Sequence, residues 1–251
     1  MQMSTTAAIV TGGASGLGEA TARHFAAQGA KVTLLDRDAE RGKAVAAEIG
    51  GHFVETDVTD EASVEAAIAQ AREHMGALNV AVNCAGIALG IKTTGRDGPH
   101  PLSAFQKTID INLTGSFNIA RIAATVMAKN DPEADGARGV IINTASIAAF
   151  DGQKGQVAYA ASKGGIVGMT LPMARDLAQS GIRVMTIAPG IFGTPMLKGL
   201  PQEVQDSLAA EVPNPARLGD PTEYARMAAF IVEMGYLNGE VIRLDGALRM
   251  R

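Results

Sequence analysis

Short apolar runs recur at residues 7–10, 31–35, 78–82, 140–143, 183–187 and 241–244; each is too short for a helix and predicts a buried strand. A weaker run at 52–55 adds a seventh. Between them lie Ala-rich stretches at 18–28, 38–49, 61–73, 104–128 and 158–179, long enough for helices on a sheet. Strand and helix alternate along the chain. That alternation predicts an α/β fold, doubly wound, with right-handed crossovers and a parallel seven-stranded sheet carrying helices on both faces. Ligands of such sheets bind beyond the carboxyl ends of the strands, so the loops that follow strands are where chemistry is expected.

Three interruptions, at 90–101, 129–139 and 192–218, are rich in Gly, Pro, Asp or Asn, and none is long enough to form a second domain. With 251 residues, the chain is expected to be a single domain over 1–251, with 192–218 as a substrate loop or lid. A formal net charge of −4 without blocks of like charge gives no footprint for nucleic acid or an anionic membrane, and neither partner is expected. The single cysteine, Cys84, rules out an internal disulfide, and without a CxxC or Cys/His cluster no metal is expected. Only six residues precede the first apolar run, and no run approaches the roughly 18 residues of a membrane span; a cytoplasmic protein is expected.

After the first strand comes Thr11-Gly12-Gly13-Ala14-Ser15-Gly16-Leu17-Gly18, opening a helix. Gly12 permits a tight turn, Gly16 lets the backbone approach a pyrophosphate, and Gly18 allows close packing of helix on strand. The helix N-terminus adds unpaired N–H donors. No GK[ST] follows, which excludes a nucleoside-triphosphate P-loop. Asp36 ends the second strand, where a carboxylate can accept from adenosine ribose hydroxyls and repel a 2′-phosphate, favouring NAD over NADP. Ser15 supplies no cation to offset that repulsion. Arg37 points the other way, since a basic residue just past the strand can hold a 2′-phosphate.

Two further segments carry chemistry: Asn143-Thr144-Ala145-Ser146 closes a strand, and Tyr159-Ala160-Ala161-Ser162-Lys163 begins a helix. Tyr159 and Lys163, four apart, share one helical face, so the ammonium is expected to lower the phenol's pKa and fit it for proton transfer near neutral pH. Ser146, at a strand's carboxyl end, can hydrogen-bond a substrate oxygen.

Together the 11–18 turn, Asn83-Cys84-Ala85-Gly86, Ser146, Tyr159 with Lys163, and Pro189-Gly190 resemble the short-chain dehydrogenase/reductase family along the whole chain. The resemblance implies one Rossmann domain, a homotetramer, and an NAD-dependent hydride transfer in which Asn112 completes a proton relay through the surroundings of Lys163 and a bound water. It implies that Leu17 joins the glycine turn in holding the cofactor, and that Asp57 and Val58 flank the adenine. Asn83, Cys84, Ala85 and Gly86 would lie along the cofactor, Cys84 as a small apolar group. Tyr159 and Lys163 would also reach the cofactor, and Pro189, Gly190, Phe192 and Thr194 its nicotinamide end. Gln156 would join Ser146 and Tyr159 around the substrate.

Segments 80–87, 139–146, 164–177 and 238–250 resemble more closely the family members that act on 3-hydroxyacyl-CoA, implying reversible oxidation to 3-oxoacyl-CoA and a place in fatty acid metabolism. The competing readings are 3-oxoacyl reduction on acyl carrier protein with NADPH, a steroid or other secondary-alcohol dehydrogenase, and a non-catalytic NAD-binding module. Lys92, Arg96 and His100 could meet coenzyme A phosphates. Met196, Leu197, Leu200, Leu208 and Val212 are spaced as one apolar helical face that could close over an acyl chain.

Overall fold

The computed structural model describes residues 1–96, 98–199 and 201–250, without the side chains of Met196 and Lys198. Seven strands, β1 (Ala7–Thr11), β2 (Lys31–Asp36), β3 (His52–Glu55), β4 (Val80–Asn83), β5 (Gly139–Thr144), β6 (Ile182–Pro189) and β7 (Val241–Leu244), form one sheet. Every pairing is parallel, and the order is 3-2-1-4-5-6-7. The order reverses between β1 and β4, which opens a crevice at their carboxyl ends. The longer helices are α1 (Gly16–Ala27), α2 (Ala39–Ile49), α3 (Glu61–Met75), α4 (Leu102–Ile109), α5 (Gly115–Met127), α6 (Val157–Asp176), α7 (Gln202–Ala210) and α8 (Pro221–Glu233).

Strand alternation divides the core into two layers. Ala8 and Val10 of β1 face a cluster with Ala22 and Phe25 of α1, Val45 of α2 and Ala228 of α8. Ala7 and Ile9 face the opposite cluster, with Ile68 of α3, Ala120 of α5 and Met173 of α6. Ile9 and Phe25 are fully buried, and burial of such a side chain contributes about 1.5–3 kcal/mol. The Asp38, Asp60 and Asp220 carboxylates accept backbone N–H bonds at the starts of α2, α3 and α8, fixing where those helices begin.

Two expectations need correction. The stretch 104–128 is not one helix: α4 ends at Ile109, and Asp110–Thr114 forms a π-helical turn before α5. The wider turn brings Asn112 to a fully buried position. Nor does segment 192–218, expected as a lid, present one continuous apolar face. Helix Pro195–Lys198 and α7 are separate, with Gly199 and Pro201 between them, and proline supplies no N–H to carry a helix onward. Leu200 and the side chain of Met196 lie outside the described residues.

Candidate active site

A cavity of about 650 Å³ runs along the carboxyl ends of the strands, from Asp36 and Asp57 past the glycine turn to Ser146 and Tyr159. Gly12 begins the turn with φ +64°, and a β-carbon there would press on Ala85 N. At Gly18 a β-carbon would collide with the Gly12 carbonyl, so only glycine lets α1 approach β1 this closely. Gly12, Ser15, Gly16, Leu17 and Gly18 all line the cavity. Ser15, the N-cap of α1, makes no side-chain cap bond, unlike the aspartates capping α2, α3 and α8.

At the far end, Asp36 Oδ2 accepts from Ala14 N at 3.0 Å and Oδ1 accepts from Asp38 N at 3.0 Å, holding the carboxylate against the turn. Arg37, the cation that could favour a 2′-phosphate, has its Nε 3.8 Å from Asp57 Oδ2. Arg41, a second nearby cation, donates to the Ala14 carbonyl at 2.6 Å and to Glu19 at 2.6 Å. Asp57 also accepts from Thr59 N and Oγ1, bonds that hold its carboxyl below the usual range. Val58 lines the same end, its carbonyl accepting from Asn118. A nicotinamide dinucleotide fits this donor set and crevice: a glycine turn at a helix N-terminus, a carboxylate at the end of β2, and a cavity continuing to Pro189, Gly190, Phe192 and Thr194.

The opposite end carries Ser146, Tyr159 and Lys163. Ser146 follows β5 by two residues; its Oγ accepts from Ala148 N at 3.1 Å and stands beside the Tyr159 phenol. Lys163 is only 5% exposed, and burial lowers its pKa from 10.5 to about 8. Its Nζ donates to the Thr144 carbonyl at 2.7 Å and stands 5.7 Å from the centre of the Tyr159 ring. The expected lowering of the phenol's pKa is therefore corrected: burial pushes Tyr159 up, and the opposing pull comes from Ser146. Gln156, at the N-cap of α6, lines the cavity beside Tyr159.

Asn112 and Asn83 stand outside the cavity lining. Asn112 Oδ1 accepts from Ile87 N at 2.8 Å, and its Nδ2 donates to the Ile87 carbonyl at 2.9 Å and to Ser162 Oγ at 3.0 Å. Its side chain thus ties the segment after β4 to the helix bearing Tyr159 and Lys163. Asn83, expected along the cofactor, has a buried side chain that donates to Asn143 Oδ1 at 2.9 Å and to the Ser116 carbonyl at 3.2 Å. In a sheet buried on both faces, apolarity does not reveal which way a polar side chain points. Cys84, Ala85 and Gly86 do line the cavity, and burial raises the Cys84 thiol pKa, keeping it protonated.

The sequence pattern missed much of the apolar wall beyond Ser146. Ile147, Ala148, Ile191 and Met250 join Leu197 and Leu208 there. These residues come from segments more than a hundred positions apart, so no local periodicity links them. Val212, from the same 192–218 segment, is buried against Ile147 and Leu248. His100 is drawn inward, with Nδ1 3.2 Å from the Ile91 carbonyl and its ring edge-on to Phe105, whereas Lys92 and Arg96 are exposed. Among the described residues, no three His, Cys, Asp or Glu side chains cluster as a metal site.

Comparison with known proteins agrees with this geometry. The family model described as short chain dehydrogenase matches residues 6–205. The human protein named 3-hydroxyacyl-CoA dehydrogenase type-2 is 56% identical over 248 residues, covering 97% of this chain and 95% of the relative. The Drosophila melanogaster protein of that name is 54% identical, covering 96% of each. A crystal structure of 3-hydroxyacyl-CoA dehydrogenase type-2 from Mycobacterium avium superposes with a TM-score of 0.93 at 48% identity, covering 98% of this chain and 96% of that one.

Proposed function

Because the chain belongs to the short-chain dehydrogenase family, we propose that it is an oxidoreductase interconverting 3-hydroxyacyl-CoA and 3-oxoacyl-CoA with NAD. The observation that carries the reading is the convergence of Ser146, Tyr159 and Lys163 at one end of a cavity whose other end is the glycine turn and Asp36. Beyond Ser146 the wall is apolar, as an acyl chain requires. Relatives that match nearly end to end carry the name of this activity.

The nicotinamide, when bound, accepts or supplies the hydride. The chain's own residues position and protonate. Ser146 Oγ, oriented by Ala148 N, donates to the substrate's 3-oxygen and fixes the carbon it belongs to. Tyr159, beside Ser146, gives its phenolic proton to that oxygen in reduction and takes it back in oxidation. Lys163 holds positive charge beside the reacting groups from its anchor on Thr144. Asn112 keeps the Gly86–Ile87 backbone and Ser162 in register beneath them.

NAD is favoured over NADP because Asp36 faces the adenosine end while Arg37 and Arg41 both stand against carboxylates. Exposed Lys92 and Arg96 lie on a segment whose Ile91 N donates to the Gly155 carbonyl at 2.9 Å, and this supports their meeting coenzyme A phosphates. A homotetramer is supported by half-exposed Phe117 on α5 and by Val157 and Leu171 on α6, which form apolar surface a second copy can cover. A panel of acetoacetyl-CoA, acyl-carrier-protein thioesters, steroids and simple ketones, read as nicotinamide absorbance with NADH and NADPH side by side, tests the reading. Turnover fastest with acetoacetyl-CoA and NADH is expected; a preference for the carrier-protein thioester with NADPH would replace it.

A further inference from the structure

We propose that Arg243 is a specificity-determining positioning residue: it clasps the carboxyl-terminal tail against the turn after Ser146, so that Met250 limits the acyl chain the cavity accepts. This inference rests on the acyl-thioester reading above. Arg243, on β7, bonds three separate points. Its Nη2 is 2.6 Å from Asp151 Oδ2, its Nε donates to Asp245 Oδ2 at 2.7 Å, and Nη2 also donates to the Leu248 carbonyl at 3.0 Å. The guanidinium lies 5.1 Å from the centre of the Phe150 ring. The side chains of Arg243, Asp151 and Asp245 are 21%, 18% and 7% exposed, so these are not the solvated pairs that contribute little. Arg249 pairs with the same Asp245 oxygen at 3.1 Å.

Each bonded point leads to the substrate end of the cavity. Asp151 closes the single-turn helix Ala148–Asp151, whose Ala148 N donates to Ser146 Oγ. Leu248 is 2% exposed against Ile147, the neighbour of Ser146, and against Val212 at the end of the lid. Met250 packs on that group and lines the cavity. Just before Leu248 the tail folds back at Ala247, whose φ of +68° is the one left-handed non-glycine conformation among the described residues. That conformation costs on the order of 1 kcal/mol and persists where surrounding bonds over-determine it. Here Ala247 N donates to Asp245 Oδ1 at 3.0 Å, and Asn214 N donates to the Gly246 carbonyl at 3.2 Å.

The chemistry follows from the chain order. A 3-oxo group held by Ser146 and Tyr159 places its acyl chain beside Ile147, where the tail forms the wall. Arg243 fixes the tail, and Met250 is the tail's contact with the cavity. Loosening either gives long chains room while short chains lose a surface that orients them.

The test measures kcat/KM for 3-oxoacyl-CoA substrates of four and twelve carbons in the wild type, Met250→Ala, Arg243→Met and the double variant, together with the Kd for NADH. Both single variants are expected to raise the long-to-short ratio about tenfold, the scale of a hydrophobic-pocket change. NADH affinity should stay within about twofold, and the double variant should match the singles, because Arg243 acts through Met250. Free 3-oxo esters of the same lengths are run in parallel. Failure of the wild type on the thioesters alone rejects the thioester reading. An unchanged ratio in Met250→Ala, on whichever series is turned over, overturns the role of the tail even if Arg243→Met does not fold. Fully additive ratios in the double variant would overturn the role of Arg243.

Discussion

Lys163 Nζ donates to the Thr144 carbonyl at 2.7 Å and stands 5.7 Å from the centre of the Tyr159 ring, so the lysine is anchored to the end of β5 rather than to the phenol one helical turn before it. Thr144 is itself held from behind: its Oγ1 lies 2.6 Å from the Tyr224 hydroxyl of α8, and both approach Cys84 Sγ. A buried ammonium thus rests on a strand end locked by pairing with Ile187 and by a fully buried tyrosine. The cost of that burial is visible in the lysine's pKa of about 8.

That cost predicts a trade of stability for activity. A drop from 10.5 to about 8 corresponds to about 3 kcal/mol against the folded state. Because the folded pKa of this base is depressed, the penalty is fully present below about pH 8 and is relieved as pH rises towards 10.5. Lys163→Met should therefore be inactive yet melt several degrees higher than wild type at pH 7, with the gap closing near pH 10.5. Thermal melts at the two pH values check this. A variant less stable at pH 7 would show that the bond to Thr144 outweighs desolvation.

Tyr159→Phe retains the ring and loses the transferable proton. A general acid–base contribution of about 10²–10⁴-fold should vanish from kcat, while NADH binding persists. Single-turnover kinetics and a fluorescence titration of NADH measure the two separately. A folded variant with more than half the wild-type kcat would remove Tyr159 from the proton step.

The seven strands and the glycine turn were legible in the sequence because each rests on local chemistry: an apolar run, or a glycine at a fixed offset from a strand. Ser146, Tyr159 and Lys163 were legible for the same reason, by spacing and strand end. The π-turn at Asp110–Thr114 was not, since its residues are compatible with an ordinary helix. The role of Asn112 became readable only once Ile87 and Ser162 were seen to meet it, 25 and 50 residues away. Met250 was invisible on the same grounds: it follows β7, whose Arg243 pairs with Asp151, 92 residues earlier.

Asp36→Ala removes both the acceptor for ribose hydroxyls and the charge that repels a 2′-phosphate. It also frees Ala14 N from its bond to the carboxylate. The preference for NADH over NADPH should narrow, chiefly through a weaker KM for NADH. Steady-state kinetics with both cofactors measures the ratio. A wild-type enzyme that already prefers NADPH would mean that Arg37 governs this end of the cavity.

The account stands most directly on substrate choice. Binding the coenzyme A handle far from the reacting carbon should orient the 3-oxo group toward Ser146 and Tyr159, improving kcat as well as affinity. The decisive measurement is kcat/KM with NADH for acetoacetyl-CoA against a short free 3-oxo ester. The account predicts a clear preference for the thioester, expressed partly in kcat; equal efficiency for the two would contradict it.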